Sequence, residues 1–146
     1  MRRRIGITIH HSAVGGSVLL STIEQHHIRL GYGQVGYHFY IPEDGSLWVG
    51  SSLNSIGAHC NHAGRNFTHF GICLGGNFEN KAPTRLQMET LIEILCRLCA
   101  KFGIDPDAIE GHGDVPGTNT QCPGKFLKAR LPWIKQRVKA FLPLSK

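Results

Sequence analysis

The sequence has no long apolar run, no internal repeat and no composition shift that would mark a linker. Its 146 residues hold no stretch near the roughly 20 apolar residues that cross a membrane, so we expect no membrane insertion. Hydrophobic residues make up 41% and charged residues 18%, which is typical of a globular chain and excludes disorder. A chain of this length fits one domain, and we expect a single domain over residues 1–146.

Two further signals are missing. The arginines Arg2–Arg4 precede only a short segment that ends in two histidines, which does not resemble a secretory signal peptide. We therefore expect synthesis in the cytoplasm, or an export signal outside this sequence. No basic helix with interleaved aromatic residues follows, so we predict no nucleic-acid binding. The net charge of +6 still favours an anionic partner, such as a bacterial cell wall.

The five cysteines are an odd number and do not suggest a disulfide framework. Cys96 and Cys99 form a CxxC, a spacing found in redox and zinc sites. They lie, however, in residues 87–102, where apolar residues recur at helical spacing. We interpret both as small core residues of a helix.

Hydrophobic periodicity and turn signals predict the order β, α, β-hairpin, β, α, β, α. The predicted strands are Ile5–His10, Val35–Ile41, Ser46–Gly50, Phe70–Leu74 and Ala108–His112. The predicted helices are Ser21–Leu30, a helix capped by Thr84 that runs to Phe102, and a last helix over about 124–141 that Pro132 kinks or divides. We therefore predict an α/β fold, a single domain with a mixed β-sheet of about five to six strands flanked by about three helices.

The residues that carry chemistry include nine histidines. His112 lies in the glycine-rich segment 111–115, and Cys122 follows it by ten positions. A histidine, a cysteine and one distant histidine can supply three ligands to a catalytic zinc ion and leave a fourth position open. From spacing alone, a loop cysteine and a buried histidine explain these residues about equally well.

Six short blocks follow one another along nearly the whole chain. They are residues 9–13 (IHHSA), 35–39 (VGYHF), 57–60 (GAHC), 70–76 (FGICLGG), 111–115 (GHGDV) and 122–124 (CPG). In this order they resemble the type-2 N-acetylmuramoyl-L-alanine amidases, which include phage amidase endolysins and the peptidoglycan recognition proteins. The resemblance implies that the domain is catalytic. It further implies zinc-dependent hydrolysis of the amide between N-acetylmuramic acid and L-alanine in bacterial peptidoglycan, by a phage or prophage endolysin.

The resemblance implies that His10, His112 and Cys122 bind one Zn²⁺. Strand alternation agrees with His10 rather than His11, because His11 shares a face with the isoleucines of the first strand, which we expect in the core. We interpret His11 as a core histidine or as one that supports the metal ligands from behind. Asp114 is expected either to accept a hydrogen bond from an imidazole ligand or to cap its own loop.

Three further roles follow from the resemblance, and a fourth, that of Asn77, from its position directly after the strand end at Gly75-Gly76. Tyr37 matches the family's tyrosine beside the metal, where we expect its hydroxyl to bind the attacking water or the oxyanion; a core tyrosine is the alternative. Thr120 replaces the lysine of phage-lysozyme amidases; its hydroxyl can donate to the oxyanion but is a poor general acid. His59 is expected to contact the substrate, unless it is a surface histidine, and Asn77 to line the same groove.

Other functions stay open at this stage. Cys122 disfavours a non-catalytic peptidoglycan-binding module, because the recognition proteins of that kind have lost the cysteine. It also disfavours a recycling enzyme for soluble anhydro-muropeptides, because recycling relatives carry Asp as the last ligand. An added role in binding and inhibiting another protein has no residue that marks it. We expect a monomer that acts on the cell wall after release from the cytoplasm. With no room for a separate wall-binding domain, adhesion is expected from the positive charge, unless the chain is the catalytic part of a longer protein.

Overall fold

One mixed sheet organises the chain. The computed structural model describes residues 2–15, 17–31 and 35–142. Its strands are β1 (Gly6–His11), β2 (Phe39–Ile41), β3 (Trp48–Val49), β4 (His69–Leu74) and β5 (Ile109–Gly111). They lie in the order β3-β2-β4-β1-β5. β1 runs parallel to β4 and β5, β2 runs parallel to β4, and β3 pairs antiparallel with β2. The predicted α/β fold with a mixed sheet of about five to six strands is confirmed, and the described sheet has five.

Three long helices and two single-turn helices surround the sheet. They are α1 (Leu20–Arg29), α2 (Arg65–Thr68), α3 (Arg85–Phe102), α4 (Lys125–Lys128) and α5 (Leu131–Phe141). The start of α3 is fixed by a capping box, in which the Thr84 hydroxyl accepts from the Gln87 N–H and the Gln87 side chain accepts from the Thr84 N–H. Gly103 ends the helix in the left-handed conformation, with φ of 65°.

The two faces of the sheet differ in chemistry. Because strand side chains alternate between faces, Ile7 and Ile9 of β1 point to the side covered by α3 and α5, where the main hydrophobic core lies. Thr8 and His10 point to the other side, together with Tyr40 and the α1 residue Ile23. In the β1–β4 register His10 lies beside Cys73. The face of the sheet near α1 therefore carries the polar groups.

Three details of the predicted elements are wrong in the structure. Of the predicted strand Val35–Ile41 only β2 joins the sheet, and of Ser46–Gly50 only β3 does. The reason near Gly36 is a backbone crossing so close that a Cβ there would lie 2.2 Å from the Ala58 carbonyl oxygen. Ile5, expected in the core, is 49% exposed, because pairing of β1 with β4 begins one residue later.

The last predicted helix is divided, not kinked. Its two parts are α4 and α5, and Pro132 lies in the first turn of α5. Proline is tolerated there because the first N–H groups of a helix have no partner within it. The single-turn helix α2 was not predicted.

The cysteines agree with their interpretation as core residues. All five are free thiols, and both Cys96 and Cys99 lie on α3, Cys99 buried and Cys96 partly so. Among the described residues, no helix has the length and apolarity needed to cross a membrane.

Candidate active site

Three separated segments meet at the carboxyl ends of the parallel strands. His10 is the fifth residue of β1, His112 begins a 3-10 turn directly after β5, and Cys122 lies in the loop before α4. Side chains at the carboxyl ends of adjacent parallel strands converge, which is why open α/β sheets bind ligands at this edge. The fold therefore brings together the three residues that the sequence singled out as metal ligands.

The distances among these side chains suit one metal ion. One ligand atom from each of His10, His112 and Cys122 lies within 4.8 Å of the others. The Cys122 Sγ is 3.7 Å from the His10 Nδ1, and the two imidazole rings are 4.7 Å apart between centroids. Tetrahedral zinc with ordinary bond lengths would separate a sulfur and a nitrogen ligand by about 3.6 Å. The donor set and its spacing thus fit zinc.

Backbone groups hold the sulfur in place. The N–H of His11 donates to the Cys122 Sγ at 3.4 Å, and the Gly113 N–H donates to the Cys122 carbonyl at 2.8 Å. Burial raises the pKa of the Cys122 thiol to about 12, and the His11 N–H lowers it only in part. Coordination to a cation would deprotonate this thiol outright.

His10 is buried and bonded to a second histidine. Its side chain is 1% exposed, and burial holds its pKa well below the usual range. The Nε2 of His10 lies 3.0 Å from the Nδ1 of His59, and the Nε2 of His59 lies 3.1 Å from the carbonyl oxygen of His69. His10 is thus held through Nε2, which leaves Nδ1 on the side of Cys122.

This placement of His59 does not agree with a surface histidine. The residue is 7% exposed, and both of its ring nitrogens face groups of the protein. The structure places His59 behind His10. His59 also lines a groove beside α1, so its contact with the substrate stays a prediction.

Tyr37 lies beside the candidate metal ligands. Its ring is 5.1 Å from that of His10 and 5.3 Å from that of His27, between centroids, and its side chain hydrogen-bonds that of Cys73. It precedes β2 and packs partly buried near Tyr40, on the face of the sheet near α1. Tyr37 therefore lies next to His10 as expected, and it also packs partly against the smaller hydrophobic cluster, as the alternative of a core tyrosine predicted.

A groove opens between α1 and these residues. Its volume is about 480 Å³, and its walls include Ser12, His26, Arg29, Tyr37 and Ala58, with the edge of His59. Imidazole, guanidinium and hydroxyl groups line it alongside aliphatic side chains. Such a groove can take a ligand with both polar and apolar parts.

Thr120, expected to assist catalysis, and Asn77, expected to line the groove, both make hydrogen bonds within their own loops. Thr120 is exposed, and its hydroxyl accepts from the Cys122 N–H at 3.2 Å. Asn77 is partly buried in the turn after β4, where its side-chain oxygen accepts from the Glu79 N–H at 3.1 Å. Thr120 thus lies next to the site through the backbone of Cys122, whereas none of the described contacts directs Asn77 toward the groove.

The two expected supporting residues behave differently. Asp114 accepts from the Gly111 N–H at 3.2 Å and pairs with Lys128 at 3.2 Å, so it caps its loop, and no described hydrogen bond joins it to an imidazole. His11 is buried, and its Nδ1 accepts from the Phe78 N–H at 3.2 Å. Its described hydrogen bond to the site is made by its backbone N–H, which donates to the cysteine sulfur.

Sequence reasoning missed an ion pair that anchors β5 close to His112. Arg65 on α2 binds both carboxylate oxygens of Glu110, at 2.6 and 3.1 Å, and the Thr8 hydroxyl donates to the same carboxylate at 3.2 Å. The one signal in the sequence was Glu110 itself, a glutamate in a short predicted strand two residues before the candidate ligand His112. No signal pointed to its partner Arg65, because the helix that carries Arg65 was not predicted.

Comparison with known proteins identifies the family. Residues 2–125 match the family model for N-acetylmuramoyl-L-alanine amidase. The chain belongs to this amidase family. The endolysin of Enterobacteria phage T3 is 33% identical over 129 residues, which cover 84% of this chain and 82% of that endolysin.

Solved structures of the amidase family share the fold. The amidase LysC from Clostridium intestinale is 31% identical, with a TM-score of 0.85 over 94% of this chain and 87% of that one. A Drosophila PGRP-LB variant in complex with tracheal cytotoxin is 27% identical, with a TM-score of 0.75 over 90% and 81%. The five-stranded sheet with its helices is thus the fold of both amidases and peptidoglycan recognition proteins.

Proposed function

We propose that this amidase hydrolyses the amide between the lactyl group of N-acetylmuramic acid and the L-alanine of the stem peptide, with a zinc ion held by His10, His112 and Cys122. The observation that carries the proposal is the meeting of two imidazole groups and one thiol within 4.8 Å. Three protein ligands leave a fourth position for the reaction, which distinguishes catalytic from structural zinc sites.

The metal fits this site chemically as well as geometrically. Imidazole and thiolate are ligands that zinc accepts readily, and burial keeps His10 neutral, the form that binds metal. A bound zinc ion would supply a Lewis acid that activates water near neutral pH and polarises the amide carbonyl. The thiolate of Cys122 would offset part of the metal charge, and the His11 N–H would stabilise that sulfur.

The groove residues, Tyr37 and Thr120 would bind the substrate and stabilise the negative charge that develops on its carbonyl oxygen. We propose that the groove beside α1 receives the glycopeptide, so that the scissile carbonyl approaches the ring of Tyr37 next to His10. From there the Tyr37 hydroxyl can donate to the oxygen that gains negative charge. The Thr120 hydroxyl lies on the exposed side of the Cys122 loop, where it can donate to the same oxygen.

Two substitutions with a matched control test the proposal. Cys122→Ser and His112→Ala are expected to lose both bound zinc and release of free amino groups from purified cell walls, because each removes one of three ligands. Cys96→Ser, a similar change on α3 away from the groove, is expected to keep both. Full zinc content and full activity in both ligand variants would eliminate the proposed site. Wall binding without turnover in zinc-loaded wild type would favour a binding module instead.

We further propose that the protein acts as an endolysin, on the cell wall after release. The similarity to the phage T3 endolysin over most of both chains and the net charge of +6 support this setting, because a basic protein is attracted to an anionic wall. Externally added protein should lyse walls with an efficiency that falls as salt screens the charges. Lysis that is strong and independent of salt would contradict adhesion by charge.

A further inference from the structure

We propose that His59 fixes the tautomer of His10 and so presents the bare Nδ1 of His10 to the metal. The inference rests on the proposed zinc site and assigns the part that this second histidine plays in it. His59 is here a positioning residue and not a catalytic one, because it acts through His10 and both its ring nitrogens bond within the protein.

The position of each proton in this chain of hydrogen bonds follows from the end at the His69 carbonyl. The carbonyl oxygen of His69 can only accept a hydrogen bond, so the Nε2 of His59, 3.1 Å away, carries a hydrogen. In a neutral imidazole the other nitrogen is then bare, so the Nδ1 of His59 accepts. Its partner at 3.0 Å, the Nε2 of His10, must therefore carry a hydrogen. The Nδ1 of His10 is left without one.

The Nδ1 of His10, which carries no hydrogen, faces the other two candidate ligands. The His10 Nδ1 lies 3.7 Å from the Cys122 sulfur, which places it on the side where the three ligand atoms converge. The other tautomer would direct an N–H at the metal and set two bare nitrogens against each other at 3.0 Å. Only one tautomer of His10 satisfies both its neighbour and a metal ion.

The surroundings of His59 suit a ring with one proton. The ring is almost wholly buried, and none of its described hydrogen-bond partners is a carboxylate. A buried charge without a partner is costly, so the ring is neutral and the count above applies.

The protein also encloses the ring of His59. A Cβ on Gly57 would lie 2.4 Å from this ring and one on Gly71 would lie 2.5 Å from it, so glycine is needed on both sides. The side-chain oxygen of Asn66 accepts from the backbone N–H groups of both His59 and Cys60, at 2.8 Å each. Because its ring is closely packed and its backbone is hydrogen-bonded, the fold itself fixes the orientation of His59 that selects the His10 tautomer.

Zinc affinity and the tautomer of His10 provide two separate readouts. His59→Phe removes both hydrogen bonds, whereas His59→Gln keeps one donor and one acceptor. His38→Phe is the control for loss of a buried histidine beside His59: the ring of His38 lies 6.0 Å from that of His59 between centroids, its nitrogens bond to Ser55 and Gly71, and none of its described contacts is with His10. Zinc dissociation constants are measured by competition with a chromogenic chelator, and thermal unfolding of each zinc-free variant reports folding.

We expect zinc binding about 10- to 100-fold weaker in His59→Phe and within a few-fold of wild type in His59→Gln. His38→Phe should unfold at lower temperature but bind zinc as tightly as wild type. Nitrogen-15 spectra of the zinc-free wild type should show His10 protonated on Nε2, with a mixture of tautomers in His59→Phe.

Wild-type affinity in His59→Phe, or a zinc-free wild type with His10 protonated on Nδ1, would overturn the inference. If His59→Phe does not fold, the wild-type spectrum still decides. A wild type that binds no zinc but shows the expected tautomer would refute the metal site and leave the hydrogen-bond chain intact.

Discussion

Lowering the pH should destabilise this protein through a buried histidine outside the proposed metal site. His38 is fully buried; its Nε2 donates to the Ser55 carbonyl at 3.0 Å and its Nδ1 accepts from the Gly71 N–H at 3.0 Å. A second proton would set an N–H against the Gly71 N–H and add charge near the Arg4 guanidinium, 3.4 Å away. Burial is the main cause that lowers the pKa of His38 to about 4, with Arg4 contributing.

The size of the effect follows from proton linkage. The pKa of His38 is about 4 in the folded protein and 6.5 without its surroundings. Because the folded pKa is the lower one, the stability contributed by neutral His38 is fully present above pH 6.5 and is lost as the pH falls toward 4. At about pH 4.5 the loss is about 2–3 kcal/mol, a large part of the roughly 5–15 kcal/mol that stabilises a typical domain.

Denaturant unfolding of wild type and His38→Gln, each at about pH 7.5 and about pH 4.5, measures this term. Glutamine keeps a donor and an acceptor but cannot titrate. A chelator is present throughout, so that protonation of metal ligands does not contribute through zinc release. Wild type should lose about 2–3 kcal/mol more than the variant between the two pH values. Any cost of the substitution itself cancels in this difference, so equal losses would refute the reasoning.

Three further substitutions test other contacts. Tyr37→Phe should lower kcat about 100-fold with zinc content unchanged, measured by wall turnover and metal analysis; unchanged kcat would remove Tyr37 from the mechanism. Tyr40→Phe deletes a 2.7 Å hydrogen bond to the Val18 carbonyl and should lower the free energy of unfolding by about 1–2 kcal/mol. Arg65→Met leaves the largely buried carboxylate of Glu110 without its main partner and should cost about 1–3 kcal/mol in the same assay, with part regained by adding Glu110→Gln.

Local signals predicted the parts of the fold that local physics decides. The apolar spacing of α3, with Thr84 before it and Gly103 after it, predicted that helix and both of its ends. Alternation in β1 separated His10 from the core face that holds Ile7 and Ile9. These features depend on neighbours within a few residues, so the sequence alone reveals them.

The parts that sequence reasoning missed depend on contacts between distant segments. Gly36 lies outside the sheet because the backbone of Ala58 passes close to it. No residue near Gly36 in the sequence indicates this close approach. The family pattern predicted that His59 contacts the substrate, but it gave no sign of the contact with His10, which spans 49 residues of sequence. The nearest sequence signal was Gly71 within an apolar strand, because a strand glycine often marks a close approach by another group.

X-ray absorption at the zinc edge, on protein loaded with one equivalent of zinc, tests the proposed metal centre most directly. We expect one sulfur ligand at about 2.3 Å and two imidazole nitrogens at about 2.0–2.1 Å, with the sulfur contribution lost in Cys122→Ser and retained in Cys96→Ser. A wild-type spectrum without sulfur in the coordination shell would contradict the account.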